Sequence, residues 1–231
     1  MNKIEVICGL IAFHIGEIYG YTSQQGGRLF NDIIPIESQK NIANSSAGYD
    51  AEFNLHTEDA FFEFPPDFIC WGCHRNDEGV GTRLATIADI ELDPRRLSLL
   101  SGPDFLMIPN VLQEVTGSAR RYPIITKVSG SLRMRINANH SSKSVAVGDC
   151  EEAYEWLVQE LTSKSIIRRF SSGEIFILNN KTSAHGRLAY EPAENRNSRW
   201  LTRIVVRRDI EAMHRYMLPN SKYKIAPTAA L

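Results

Sequence analysis

Neither sign of charge dominates this sequence: 26 lysines and arginines stand against 27 aspartates and glutamates, for a net charge of −1. Without a basic surplus the chain has no electrostatic footprint for nucleic acid, and without a polybasic run none for a membrane surface. Long hydrophobic runs are missing as well. The longest near the start, Ile4 to Phe13, is interrupted by Glu5 and followed by His14 and Glu17, and is too short to span a bilayer. Lys3 ahead of that run resembles the opening of a signal peptide, but no small-residue cleavage site follows. The run therefore reads as a buried strand, Ile4–Ala12, of a cytoplasmic protein. Cysteine is scarce, and nothing marks secretion, so Cys8, Cys70, Cys73 and Cys150 are expected to be free thiols.

What is present suits a globular core. Hydrophobic residues make up 43% and charged residues 23%, enough apolar surface to bury one. There are no repeats, low-complexity tracts or obvious linkers, and a single domain over residues 1–231 is expected. Cys70-Trp71-Gly72-Cys73-His74 matches the c-type haem attachment pattern, which belongs to exported proteins. Its neighbours Phe68 and Ile69 are β-formers, so buried strand cysteines are the better reading.

Short β-rich runs recur between turn signals: Glu52–His56, Phe68–Cys73, Arg83–Ile87, Ile124–Val128, Ser131–Ile136, Ile175–Asn179 and Trp200–Arg207. Asn179-Asn180 is a good tight-turn pair and Ser129-Gly130 a looser one. Helices are few. Asp93-Pro94 supplies an N-cap and a proline at the first helical position, opening a helix to about Leu100. Asp149 with Glu152 is arranged like a capping box, and Ala153, Tyr154, Leu157, Val158 and Leu161 then share one face. Many short strands with a few helices predict a mainly β double-sheet architecture, the jelly roll or double-stranded β-helix.

Residues two apart on a strand point to the same side, so His56 and Glu58 in Leu55-His56-Thr57-Glu58 can reach one metal ion together. His185, in Ala184-His185-Gly186 after the strand-turn-strand of Glu174 to Ser183, is the natural third ligand. Two histidines and one carboxylate leave open positions, the arrangement used for Fe(II) oxygen chemistry. His14, His74, His140 and His214 read as packed or surface residues. Downstream, Arg199 and Arg203 fall on one face of the strand run Arg199-Trp200-Leu201-Thr202-Arg203. Guanidinium groups pointing into a barrel are costly unless they meet anions. Two of them imply two carboxylates, one from a cosubstrate and one from an amino-acid-like substrate. The bland alternative is a solvated edge strand carrying surface arginines, as Arg207 and Arg208 are expected to be.

These residues sit among others that resemble a known group. Gly16-Glu17-Ile18-Tyr19-Gly20-Tyr21, Gln25-Gly26-Gly27-Arg28-Leu29, Asp32-Ile33-Ile34-Pro35, Ser45-Ser46-Ala47-Gly48, His56-Thr57-Glu58-Asp59-Ala60-Phe61, Pro66-Asp67, His185-Gly186-Arg187 and the Arg199 to Arg203 run are the motifs concerned. Together they make the stretch from about Gly16 to about Arg208 similar to the clavaminate-synthase-like branch of the non-haem Fe(II), 2-oxoglutarate-dependent dioxygenases. That branch includes β-hydroxylases of free or carrier-held amino acids.

The resemblance implies a jelly roll whose His56, Glu58 and His185 ligate Fe(II), with 2-oxoglutarate and O2 as cosubstrates. It implies that Arg199 and Thr82 hold the distal carboxylate of 2-oxoglutarate, Thr86 being the competing choice. It further implies that Arg203, helped by Ser46, holds the α-carboxylate of an amino acid, and that Gln25 faces its amino group. Asn137 and Asn139 stand in a strand where arginine-specific relatives carry acidic residues, so a polar neutral or shorter substrate is expected. The expected partner is such a small molecule, free or on a carrier protein, with no nucleic acid and no membrane. The family also carries an N-terminal region absent from this sequence, which raises a catalytically impaired ligand- or partner-binding relative as one alternative. A jelly-roll isomerase using another divalent metal is a second.

Overall fold

Among the described residues, seventeen helices and strands place the site, and most of the strands alternate between two sheets. The computed structural model describes residues 2–43, 45–108, 120–139, 147–193 and 197–226. In chain order the elements are α1 (Lys3–Ile15), β1 (Glu17–Tyr21), β2 (Asn31–Ile33), β3 (Phe53–His56), β4 (Phe68–Arg75), β5 (Gly81–Thr86), α2 (Pro94–Ser101), β6 (Phe105–Met107), β7 (Arg120–Tyr122), β8 (Ile125–Val128), β9 (Ser131–Met134), α3 (Asp149–Ser163), β10 (Ile166–Arg169), β11 (Ile175–Asn179), β12 (Ser183–Arg187), β13 (Trp200–Arg207) and β14 (Lys224–Ile225). The larger sheet runs β11-β4-β13-β1-β14, with β2 also on β13, and the smaller runs β10-β5-β12-β3. From β3 to β5 the chain steps small, large, small. After the α2-to-α3 insertion, β10 to β13 step small, large, small, large. This alternation is the expected jelly roll.

Between the sheets lie Ile33, Ile69, Trp71, Cys73, Phe170, Leu178 and Leu201. A second core forms where α2 and α3 cover the smaller sheet, and there Leu157 and Leu161 are fully buried. Each contributes about 1.5–3 kcal/mol over an exposed position. The amphipathic face of α3 is as expected, with Ala153, Tyr154, Leu157 and Leu161 buried and Val158 packed beside them. Its cap is not. Gly148 occupies the N-cap with no side-chain bond. Asp149 is the first helical residue, and its carboxylate takes a 2.7 Å bond from Arg95 instead. In α2 the expected cap is present, the Asp93 side chain accepting from the Arg96 N–H.

The expected strand over Ile4–Ala12 is the helix α1. Asn2 and Glu5 close a capping box around its first turn, each side chain accepting from the other's backbone N–H. That local bond pattern outweighs the β-forming content of the run. Only Cys8, Gly9 and Ala12 are buried, against Cys70, Ile204 and Val206 on the outer face of the larger sheet. Among the described residues no helix is long and apolar enough to cross a membrane. All four cysteines are free, and Cys70 and Cys73 lie buried in β4, as a strand reading of the haem-like motif requires.

Both expected turn pairs turn the chain tightly, the Asn179 carbonyl accepting from the Thr182 N–H at 3.2 Å. Ser129 and Gly130 both have positive φ, 50° and 83°, and close the β8–β9 hairpin as a two-residue loop. Asn179-Asn180 instead carries the chain from β11 in one sheet to β12 in the other.

Candidate metal centre and anion cavity

Antiparallel pairing of β12 with β3 makes His185 and His56 direct cross-strand partners. Their rings lie 4.2 Å apart, centre to centre. The chain leaves β3 at His56, and two residues on, Glu58 turns its carboxylate to the same place. One ligand atom from each of the three lies within 4.8 Å of the others, and the residues are 7%, 5% and 8% exposed. Phe53 stacks on the His56 ring at 4.0 Å and Trp71 meets the His185 ring edge-on at 4.9 Å, which limits the rotation of both imidazoles.

The donor set fits a divalent cation. His56 Nδ1 lies 2.8 Å from the Asn54 carbonyl, which can only accept, so Nδ1 carries the proton and Nε2 keeps its lone pair. One Glu58 oxygen takes a 2.6 Å bond from Arg203 Nη1. The other is buried without a hydrogen-bond partner, 3.5 Å from His185 Nε2. Burial, and then the charge of His185, push the His56 imidazole down to about 3. Burial opposes ionisation of Glu58, but Arg203, followed by His185 and His56, outweighs it and holds the carboxyl below its ordinary range. A neutral imidazole beside an ionised carboxylate is the protonation state that metal ligation needs.

Gly186 makes the approach of the two strands possible. Any Cβ there would lie 2.5 Å from the Phe53 carbonyl oxygen, where the β12–β3 register shifts. Gly186→Ala is expected to destabilise the fold by about 1–3 kcal/mol, as overpacking does. It should also lower divalent metal affinity by displacing His185. Chemical denaturation with and without Mn(II) checks this, and an unchanged midpoint in both conditions would contradict it.

Two cavities meet at Glu58. The smaller lies between the sheets, with Thr82, Arg187 and Arg199 among its polar lining and Ile33, Phe170 and Leu201 as apolar wall. The larger is lined by Gln24, Asp59, Asn137 and Asn139 together with His56. Ser46, Phe53, Glu58 and Arg203 border both.

No protein-family model matches the chain. It is 28% identical to the enduracididine β-hydroxylase of Streptomyces hygroscopicus over 231 residues, covering 87% of this chain and 66% of that one. It is 22% identical to the L-ornithine/L-arginine 3-hydroxylase of Catenulispora acidiphila, over 90% of this chain and 68% of that one. The chain thus spans about two thirds of the length of these curated relatives. The solved structure of the non-haem iron oxygenase OrfP with Fe and α-ketoglutaric acid matches at a TM-score of 0.87 and 23% identity, over 96% of this chain and 70% of that one. The chain is similar to these amino-acid hydroxylases over most of its length. The structural likeness carries the jelly-roll fold.

The remaining expected residues fall as follows. Thr82 lies in β5, not in a turn, and its buried hydroxyl has no partner. The Thr86 hydroxyl is occupied with the Thr182 carbonyl and the Ala88 N–H. Arg199 is 5% exposed, Arg203 lies across the cavity junction, and Ser46 borders both spaces. Gln25 lines the larger cavity, but both ends of its amide bond the backbone of Asp32. Its neighbour Gln24 reaches further in, accepting from Arg203 and donating to Asp59. Asn137 and Asn139 are bonded to each other, and Asn139 also accepts from the N–H of Asn54, whose carbonyl orients His56. His74 is the packed histidine expected, stacked on Trp200. His14 and His214 are exposed, and His140 lies outside the described residues.

Sequence reasoning missed two supporting residues. Asn180 holds the Glu58 segment by accepting from the Glu58 N–H at 2.7 Å and donating to the carbonyls of Glu58 and Pro66. Glu78 gathers the N–H groups of Ala193 and Arg199 and the Ser198 hydroxyl, which delivers Arg199 to the cavity. Asn180 was visible only as a turn former, and Glu78 carried no signal.

Proposed function

We propose that the protein is an Fe(II)- and 2-oxoglutarate-dependent oxygenase that hydroxylates an amino acid at or near Cβ and releases succinate and carbon dioxide. The observation that carries this reading is a buried His56–Glu58–His185 set next to a cavity lined by buried guanidinium groups, with no carboxylate besides Glu58 among its lining residues. The names of the relatives, amino-acid hydroxylases, support it. Held by the three ligands, ferrous iron would supply the activation of O2 coupled to oxidative decarboxylation of 2-oxoglutarate.

The chain's own residues bind and orient. Arg199 and Thr82 take the distal carboxylate of 2-oxoglutarate, Arg199 through a planar fork that matches it. Arg203 and Ser46, at the junction, take the α-carboxylate of the substrate, and Gln24 with Gln25 faces its amino group. Trp71, Phe53, Phe170 and Leu201 exclude water, so charges in the cavity interact at low dielectric. The substrate side chain lies towards Asn137 and Asn139. The carboxylates of that space are already engaged, Asp32 with Arg28 and Asp59 with Gln24. The neutral amides of Asn137 and Asn139 suit a neutral polar or short side chain.

Anaerobic addition of Fe(II) and then 2-oxoglutarate is expected to produce a visible charge-transfer band, the signature of bidentate chelation. A mass-spectrometric screen of amino acids with iron, ascorbate and 2-oxoglutarate should then show one that gains a single oxygen with matching succinate. The absence of both the band and succinate would remove the oxygenase reading.

A further inference from the structure

Arg187 has no role in the reading above, yet its surroundings give it one. It follows His185 by two residues on β12 and is the cross-strand partner of Thr82 on β5. It is 5% exposed. Its Nη2 donates to the Ala51 carbonyl at 2.9 Å, while its Nε and Nη1 are buried without a partner. Its guanidinium carbon lies 5.3 Å from the centre of the Tyr190 ring. Among the described residues no carboxylate is in ion-pair contact with Arg187 or Arg199. Glu52, whose charge reaches Arg187, pairs with Arg83. Arg187 and Arg199 thus line one small cavity beside the unpartnered hydroxyl of Thr82, with the Glu58–Arg203 pair at its border. Leaving them so is costly, and the oxygens of a carboxylate can accept from the free N–H groups.

We propose that Arg187 is the second guanidinium of this cavity, clamping with Arg199 and Thr82 the distal carboxylate of the oxo-diacid cosubstrate. The inference rests on the oxygenase reading and deepens it. The apolar wall of Ile33, Phe170 and Leu201 accepts the methylene stem of the diacid, and the paired charges reject a 2-oxo acid that ends in a methyl group.

The test measures binding and stability, using calorimetry on protein loaded with redox-inert Mn(II) and titrated with 2-oxoglutarate or with 2-oxopentanoate, the monoacid of equal chain length. The wild-type chain should prefer the diacid. Arg187→Met should lose about 10- to 100-fold in 2-oxoglutarate affinity, as for a lost charge-assisted pair, with 2-oxopentanoate binding unchanged. Arg187→Lys, which keeps the charge and loses the fork, should fall between. The ligand-free Tm of Arg187→Met should not drop, because the group removed is an uncompensated buried charge. Wild-type affinity for 2-oxoglutarate in either variant would overturn the role of Arg187 alone. Should Arg187→Met fail to fold, a merely structural role is shown if Arg187→Lys also binds the diacid normally. A wild-type chain that prefers neither acid would overturn the oxygenase reading and this inference with it.

Discussion

Replacing His185 by alanine is expected to abolish 2-oxoglutarate turnover while the protein still folds. The imidazole is the only ligand candidate supplied by β12, and without it His56 and Glu58 present two donors where an open three-donor site is needed. Metal affinity should fall by more than the roughly 10- to 100-fold that losing an outer-shell partner costs. The fold should survive for a structural reason. The backbone of residue 185 keeps its ladder bonds to β3 and β5, and the side chain borders a cavity, so the vacated space opens into existing space. The expected cost is about 2 kcal/mol, the low end for truncating a buried side chain. Succinate production, Mn(II) calorimetry and thermal unfolding check the three parts. Succinate formed at the wild-type rate would take His185 out of the site.

The candidate ligands that the structure brings together were legible in the sequence because each sits in a local pattern with a physical meaning. His56 and Glu58 are two apart at a strand end, and Arg199, just ahead of β13, lines the cavity with Leu201 and Arg203 of that strand. The strands over Ile175–Asn179 and Trp200–Arg207 were readable for the same reason, since β-branched and aromatic residues crowd there. The short strands β1, β2, β6, β7, β10 and β14 were not, because two to five residues carry too little pattern to distinguish them from loops.

Helix α1 shows a different failure. Its apolar run has neither a period of two nor a clean period near 3.6, and Val6, Ile7, Leu10 and Phe13 remain exposed. The deciding signal was Asn2 with Glu5, polar residues at the edge of the run that invite no attention in a hydrophobicity reading. Arg187, Gln24, Asn180 and Glu78 were hidden for a third reason. What they do depends on partners 35 to 179 positions away in some cases and on orphaned atoms in others. Asn180, for instance, serves Glu58 across 122 positions of chain, and no local spacing encodes that.

Arg203→Ala should separate the two anion sites from each other. Arg203 lies across the cavity junction, with Nη1 on Glu58 and Nη2 on Gln24. Arg199 lies deeper, between the sheets. The variant is therefore expected to weaken the amino-acid substrate found by the oxygenation screen by about 10- to 100-fold, the worth of a hydrogen bond to a charged group. 2-Oxoglutarate affinity should change by only a few-fold, and an equal loss for both ligands would contradict the assignment. The same change also strips Glu58 of its counter-charge. The side chains of that pair are only 12% and 6% exposed, so breaking it should cost the metal-free protein about 3–5 kcal/mol, as for a buried pair missing one partner. A divalent cation on the unpartnered Glu58 oxygen supplies the lost positive charge, so Mn(II) should restore most of the Tm deficit. A deficit that Mn(II) leaves untouched would mean that the carboxylate at position 58 and the cation do not meet.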